Sequence, residues 1–522
     1  VPGSTSIMPG SAPITITLKN ADISIARKMA GGDTEESFPF DLNPMYEGER
    51  VRKAGMYVEL GGLSKPGFEL VLFEPDPEKV RDNEVTLIGP DIEEMEEGGT
   101  YAYGMIYKVY GEQIEKDLEA VIERRNHEFQ SYIQGYMHLN QRAEIWVRIS
   151  KDAVKRGLKS LKQIAKATIK LFKSELPFIE KMEATYITDE AEVEKRLEEA
   201  KKIYEARDLK ARGLHDEDVD EFYQCTLCQS FAPTNVCVVS PDRVALCGAM
   251  SWFDSRAAAR VDPEGPNAPI PKGECIDPIG GEYTGVNEAA VRLSGGAYDS
   301  IKLHSFLEKP HTSCGCFEVA GFYIPEVDGI GWIHRGSKVS ETPIGLPFST
   351  IAGSVGGGKQ VKGFLGIGVQ YFYSSKFIQY DGGWRRVVWM ASDLKDRVSD
   401  AIPEEMKDKI ATEKEAADLE SLREFLLRVD HPVVKGVIRE VDGAKITDGW
   451  AKEEEEAGIV APEEVTAPTP MVKSEAQQPE GIAPESVPGS TSIMPGSAPI
   501  TITLKNADIS IGKIVLRRKR GE

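Results

Sequence analysis

Cys225-Thr-Leu-Cys228, followed by Cys237 and Cys247 and, far downstream, by Cys314-Gly315-Cys316, is the stretch around which this chain is organised. Six of the seven cysteines occupy these positions, and their two groupings call for two kinds of metal centre. The first four follow a C-x2-C-x8-C-x9-C pattern. Four thiolates, two of them one turn apart, are what a [4Fe-4S] cluster takes, and zinc accepts four thiolates as well. The spacing is neither the ferredoxin C-x2-C-x2-C run nor the paired CxxC of a zinc ribbon, so it leaves both open.

Cys314-Gly315-Cys316 asks for something else. Cysteines at i and i+2 bracket the peptide nitrogens of Gly315 and Cys316, so two sulfurs and two nitrogens can lie in one plane. Square-planar donation of that kind suits a d8 ion, above all Ni(II). The central glycine is expected to remove a side chain that would crowd the plane. Planar thiolates keep lone pairs with which to bridge to a further metal, and that metal can share a thiolate with a cubane.

Composition narrows the function classes. With 84 acidic against 63 basic residues and a net charge of −21, the chain lacks the basic surface of a general nucleic-acid binder, so no nucleic acid is expected as a partner. Seven clustered cysteines are too few for a disulfide framework, which points to thiolates in a reducing cytoplasm. No run of about 18 apolar residues predicts a membrane span. The first residues, Val1-Pro-Gly-Ser, lack the pattern of a signal peptide. No HExxH or GxSxG occurs, so zinc-protease and serine-hydrolase readings have no anchor.

The pattern along the chain predicts two compact mixed domains, one α/β and one α+β. Residues 1–32 contain Val1–Ile25, which recurs unchanged as Val487–Ile511 and reads as a small hairpin. Residues 33–207 read as the α/β domain. Strands are expected at Met56–Leu60, Phe68–Phe73, Val85–Ile88 and Glu144–Ile149, and Ile114, Leu118, Val121 and Ile122 mark one helical face. After Ser150, a helix is expected to carry a basic stripe from Lys151 to Lys173, solvated or gathering phosphates. Residues 208–450 read as the α+β domain that holds the cysteines, with strands at Phe317–Ile324, Phe364–Tyr373 and Arg385–Met390 and a helical stretch over Glu404–Arg428. Residues 451–486, rich in Glu, Pro and Ala, read as a disordered linker, and 487–522 as a C-terminal hairpin and basic tail.

CTLCQSFAPTNVC at 225–237, the spacing to Cys247 and the distant SCGCFE at 313–318 resemble the catalytic β subunits of archaeal CO dehydrogenase/acetyl-CoA synthase complexes. The likeness runs from about Phe38 to Trp450. It implies an A-cluster, in which Cys225, Cys228, Cys237 and Cys247 bind [4Fe-4S] and Cys228 bridges to a proximal nickel. Cys314 and Cys316 would bridge that nickel to a distal one, which also takes the nitrogens of Gly315 and Cys316. Phe231 matches an aromatic placed over the proximal nickel, against the plainer reading of core packing. The implied activity is acyl transfer: acetyl-CoA formed or cleaved from CO, coenzyme A and the methyl group of a corrinoid/iron-sulfur protein. The CO would come from CO dehydrogenase subunits. The rival from another class is a non-catalytic [4Fe-4S] electron-transfer or scaffold subunit, which has no need of the CxC.

Weaker signals have plainer readings. Cys275 is expected to be a buried small hydrophobe. Gly353–Gln360 imitates a phosphate loop but has Gln360 where Ser or Thr belongs, so its glycines are expected near the ligand channel. His311 is read as a surface or core residue, with support of the ligands as the sharper alternative. Arg142, Trp146 and Arg148 read as strand-face residues, with contact to coenzyme A as the alternative.

Overall fold

The structure, a computed structural model, describes residues 38–436 apart from 48–49, 63 and 231, together with four strands outside that span. Phe231, Trp450, the 451–486 linker and the basic tail lie outside the described residues. The chain divides into two units, Val1–Gly31 with Glu464–Glu522 and Gly32–Glu463.

In the smaller unit, β1 (Thr5–Ile7) pairs antiparallel with β21 (Ile509–Ile511), and β2 (Ile14–Leu18) with β20 (Ile500–Leu504). Each described strand pairs with the other copy of the repeat. In the β2–β20 pair Ile16 faces Ile502, its own duplicate, so the two copies pair symmetrically about that position. The turns that a hairpin within either copy would need lie outside the described residues.

The larger unit opens with two mixed four-stranded sheets. In one, β3 (Met56–Gly61) lies between β6 (Thr100–Tyr101), parallel, and β9 (Trp146–Ser150), antiparallel, with β8 (Tyr136–Leu139) beyond β9. In the other, β7 (Tyr103–Tyr110) lies between β4 (Gly67–Phe73), parallel, and β10 (Lys181–Ile187), antiparallel, with β5 (Val85–Ile88) beyond β10. Strands β3, β4, β5 and β9 follow the sequence expectation, while β6, β7, β8 and β10 were not anticipated. In β3, Met56, Val58 and Leu60 are buried while Tyr57 and Glu59 are half-buried, the alternation of a strand with one face on a core.

Helix α1 (Glu119–Ser131) departs from the expected single apolar face. It is buried on nearly every side, polar residues included. Each buried polar group there needs a partner. Asn126 donates to Glu69 at 2.6 Å, Gln130 donates to Tyr107 and Tyr186 at 2.9 Å, and Glu119 accepts from Arg207 at 2.9 Å.

The expected continuous lysine helix is also corrected. Ser150 does cap a helix, accepting from the Ala153 N–H at 3.1 Å, but α2 (Lys151–Arg156) stops at Gly157, whose φ of 115° is left-handed. A new helix, α3 (Leu161–Glu175), starts from a Ser160 capping box. The lysines therefore form no single stripe. Lys151, Lys159 and Lys173 pair with Glu97, Glu93 and Asp82, and Lys170 lies over the Phe38 ring. Helix α4 (Glu190–Ala211), capped by Asp189, leads onward.

Beyond it, β11 (Glu221–Gln224) lies between β12 (Val238–Val239) and β13 (Pro269–Pro271), both antiparallel to it. A ribbon of β14 (Cys275–Asp277) and β15 (Glu282–Tyr283) follows, flanked by α5 (Trp252–Val261) and α6 (Thr284–Leu293). Cys275 is exposed on this two-stranded ribbon, as is Ile276 beside it, which corrects its expected burial.

The last sheet has the order β18 (Phe364–Ile367), β16 (Val319–Ile324), β17 (Gly329–His334), β19 (Val387–Met390), and its core holds Trp332 and Trp389 fully buried. Helix α7 (Phe348–Val355) packs on it. Two expected strands are shorter than read, because 3-10 turns occupy Val369–Tyr373 and Gly383–Arg386. The Glu404–Arg428 helix reduces to α9 (Leu419–Arg428), since the Asp418 side chain accepts from the Ser421 N–H and so starts a helix there. Short helices α8 (Ser392–Arg397) and α10 (Pro432–Lys435) complete the described chain.

Candidate metal centre

Cys225 follows β11 and Cys237 precedes β12, so the ladder between those strands continues into the Cys225 N–H donating to Cys237 O at 2.9 Å. A 3-10 turn over Leu227–Ser230 then carries Cys228. Cys247 sits in a turn closed by Gly248 N–H on Ala245 O at 2.8 Å, with Gly248 at a φ of 72°.

The CxC segment is stitched to this region residue by residue. The Val238 N–H donates to His311 Nε2 at 3.0 Å, the Val236 N–H to Thr312 Oγ1 at 2.8 Å, and Thr312 Oγ1 to Asn235 Oδ1 at 3.0 Å. From the other side, the Gly357 N–H donates to Cys314 O and the Gly358 N–H to Ser313 O, both at 2.8 Å. The sulfurs of Cys228, Cys314 and Cys316 consequently lie within 4.8 Å of one another. All six cysteines are free thiols, five buried and Cys316 partly so. Cys225, Cys237 and Cys247 fall outside that tight trio. Ligands of a four-iron cubane sit on separate irons and stand further apart than ligands of one ion.

The environment fits an anionic, metal-bound group. Burial pushes the Cys247 thiol up to about 12, against the opposing pull of the Arg124 charge, so its sulfur stays protonated unless a cation takes the proton's place. Hydrogen bonds from Cys228 and Cys314 hold Cys316 well below the usual thiol range. Two fully buried arginines have orphaned donors here. Arg124 lacks partners for Nε and Nη1 and donates from Nη2 to Cys228 Sγ at 3.4 Å. Arg243, stacked 4.0 Å over the Tyr371 ring, lacks partners for all three nitrogens, and the Cys237 sulfur is among the charges it senses. Buried guanidinium groups without carboxylates are costly, and a thiolate-ligated cluster is the anion that would compensate them.

The Cys316 N–H faces Cys314 Sγ at 3.3 Å, so nitrogen and sulfur already share one side of the segment. Gly315 has a φ of 143°, and a Cβ built on it would meet nothing within 4 Å. Backbone conformation alone therefore favours glycine here.

His311 is fully buried with both ring nitrogens engaged: Nε2 accepts from the Val238 N–H, and Nδ1 lies 2.8 Å from Thr312 O. Burial, then the Arg243 charge, pushes it down to about 3, so it is a neutral brace between the two cysteine segments. Arg142 is paired with Asp208 at 2.9 Å, and Arg148 with Glu59 at 2.6 Å while stacked over Trp146. A cavity of about 110 Å³ lined by Arg142, Arg212, Met250 and Tyr373 reaches Gly248, beside Cys247.

Comparison with known proteins finds two family matches along the chain. Residues 204–437 match the family described as the C-terminal part of the ACS/CODH beta subunit, and residues 38–193 that described as the beta subunit of the CO dehydrogenase/acetyl-CoA synthase complex. The acetyl-CoA decarbonylase/synthase complex subunit beta of Archaeoglobus fulgidus is 68% identical over 423 residues, 81% of this chain and 80% of that protein. The chain belongs to this beta-subunit family.

Other beta subunits agree. Subunit beta 2 of Methanosarcina thermophila is 56% identical over 488 residues, covering 92% of this chain and 99% of that protein. Subunit beta 2 of Methanosarcina acetivorans is 62% identical over 397 residues, 76% and 84% of the two chains. Among the described residues of this beta subunit, no helix is long and apolar enough to cross a membrane.

Sequence reasoning missed Arg124, Arg243 and Arg335, which surround the beta subunit's thiolates. The only advance signal for Arg124 was a charged run, Glu123-Arg-Arg-Asn126, on a helix flanked by apolar residues. Of the glycines in the Gly353–Gln360 stretch, Gly357 and Gly358 hold the CxC segment.

Proposed function

We propose that this chain catalyses acyl transfer: the reversible formation or cleavage of acetyl-CoA from CO, coenzyme A and the methyl group of a corrinoid/iron-sulfur protein. The observation that carries the reading is the meeting of Cys228 with Cys314 and Cys316, three sulfurs within 4.8 Å drawn from two remote segments. Membership of a family whose relatives are named acetyl-CoA decarbonylase/synthase subunits supports it.

In this reading Cys225, Cys228, Cys237 and Cys247 hold a [4Fe-4S] cluster. Cys228, Cys314 and Cys316 hold a proximal nickel. The sulfurs of Cys314 and Cys316 and the nitrogens of Gly315 and Cys316 hold a distal one. When bound, the nickel pair supplies a soft, electron-rich site for CO, methyl and thiol that no side chain offers.

The protein's own share is positional and electrostatic. The bonds from His311 and Thr312 fix the two cysteine segments against each other, and burial of the sulfurs keeps bulk water off. Arg124 offsets thiolate charge at the shared sulfur of Cys228. Phe231 is assigned the task of limiting approach to the proximal nickel. CO dehydrogenase subunits would deliver CO, and a reducing cytoplasm is where such thiolates persist.

The test is anaerobic reconstitution with iron, sulfide and nickel, followed by exchange between CO and the carbonyl of acetyl-CoA. Nickel filling both positions together with exchange is the expected result. Iron uptake with no nickel and no exchange would instead leave an electron-transfer or scaffold subunit.

A further inference from the structure

Both carbonyls conjugated to the two ligand nitrogens of the CxC segment accept a hydrogen bond. Cys314 O, in one peptide unit with the Gly315 nitrogen, accepts from the Gly357 N–H at 2.8 Å. Gly315 O, in one peptide unit with the Cys316 nitrogen, accepts from Arg335 Nη2 at 2.6 Å. Arg335 follows β17 directly. Its own N–H donates to Glu318 O at 2.8 Å, and its guanidinium is held 5.6 Å from the Phe317 ring centre and 5.5 Å from that of Phe348. Its short bond is thus made to a backbone carbonyl inside the metal-binding loop.

We propose that Arg335 is a positioning residue for the distal nickel, stabilising the Gly315–Cys316 peptide in the form in which the Cys316 nitrogen is a metal ligand. The inference rests on the dinickel reading above. In forming that ligand, the N–H bond of Cys316 breaks, a Ni–N bond forms and the proton leaves to solvent. The electron pair left behind is shared over nitrogen, carbon and the Gly315 oxygen. A fixed cation on that oxygen stabilises the charged peptide more than the neutral one, because charge-assisted hydrogen bonds are about twice as strong as neutral ones. The same bond fixes the peptide plane. It works with the φ of 143° at Gly315 to keep the Cys316 nitrogen turned towards Cys314 Sγ. Gly357 gives the other carbonyl a neutral donor, so the two nitrogens are supported unequally.

The experiment compares the full chain with Arg335→Met and Arg335→Lys after anaerobic loading with iron, sulfide and nickel. Retention of nickel against a competing chelator and the nitrogen-to-sulfur donor ratio from nickel X-ray absorption are measured. Arg335→Met is expected to hold the nitrogen-ligated nickel roughly ten- to a hundredfold more weakly, with fewer nitrogen donors and unchanged cubane absorbance. Arg335→Lys, which keeps the charge, is expected to recover part of the loss. Wild-type retention and donor ratio in Arg335→Met would overturn the inference. So would equal loss of cubane and nickel from both variants, because the role would then be structural. A wild-type chain that binds no nitrogen-ligated nickel would show that the dinickel reading itself has failed.

Discussion

Arg124 Nη2 lies 3.4 Å from Cys228 Sγ, so a fully buried guanidinium on α1 touches the sulfur that the proposed ligand set would share between its two metal positions. Removing that charge leaves the anionic centre less compensated, and the more reduced, more negative state loses the larger stabilisation. Arg124→Met is expected to lower the midpoint potential of the reconstituted iron-sulfur cluster by tens of millivolts, about 59 mV being a tenfold change in a one-electron equilibrium. Arg124→Lys should fall between it and wild type. A potentiometric titration followed by electron paramagnetic resonance reads the shift, and an unchanged potential in Arg124→Met would show that the charge is not felt.

Gly315 occupies a left-handed conformation with open space where a side chain would go. Gly315→Ala therefore meets a backbone penalty and no clash, on the order of 1–3 kcal/mol. The segment is expected to relieve it by turning the Cys316 nitrogen away, so nickel is lost while cubane absorbance persists. Metal analysis and visible spectra of the variant check this. Wild-type nickel content would mean that the peptide geometry is not required.

Cys228, Cys314 and Cys316, which the fold brings together, could be singled out in the sequence because the CxxC and CxC spacings are local and the residue type is chemically specific; that the two segments meet could not. The strand at Met56–Leu60 was legible because one buried face leaves an alternating pattern, and that at Val85–Ile88 because its β-branched and aliphatic residues are bounded by polar residues and a glycine. Helix α1 was not, since periodicity registers only apolar residues, and this helix buries Arg124, Asn126 and Gln130 in polar contacts that arise only in three dimensions. The break between α2 and α3 was visible in principle. Gly157 and the Ser160-x-x-Gln163 capping box are stop and start signals, outweighed in the sequence reading by the regular spacing of lysines. Arg335 left no signal at all, because its partner is a carbonyl oxygen.

His431 gives a pH dependence remote from the thiolates. It is fully buried, with Nε2 3.0 Å from Val387 O and Nδ1 accepting from the Val433 N–H, and burial pushes it down to about 4. An unfolded histidine titrates near 6.5, so below that pH the unfolded chain takes up a proton that the folded chain refuses. Stability present above pH 6.5 is then lost as pH falls, at up to about 1.4 kcal/mol per pH unit. Between pH 6.5 and 5, His431→Asn is expected to lose about 2 kcal/mol less than wild type. Urea unfolding of both chains at the two pH values measures the difference, and identical losses would contradict it.

The most direct test of the divided ligand set is Cys316→Ala in the full chain, loaded anaerobically with iron, sulfide and nickel. Iron content, cubane absorbance, nickel content and acetyl-CoA/CO exchange are read on the same sample. The account predicts that iron and absorbance stay at wild-type levels while nickel falls and exchange is abolished. Loss of the cubane together with the nickel, or exchange that survives, would contradict it.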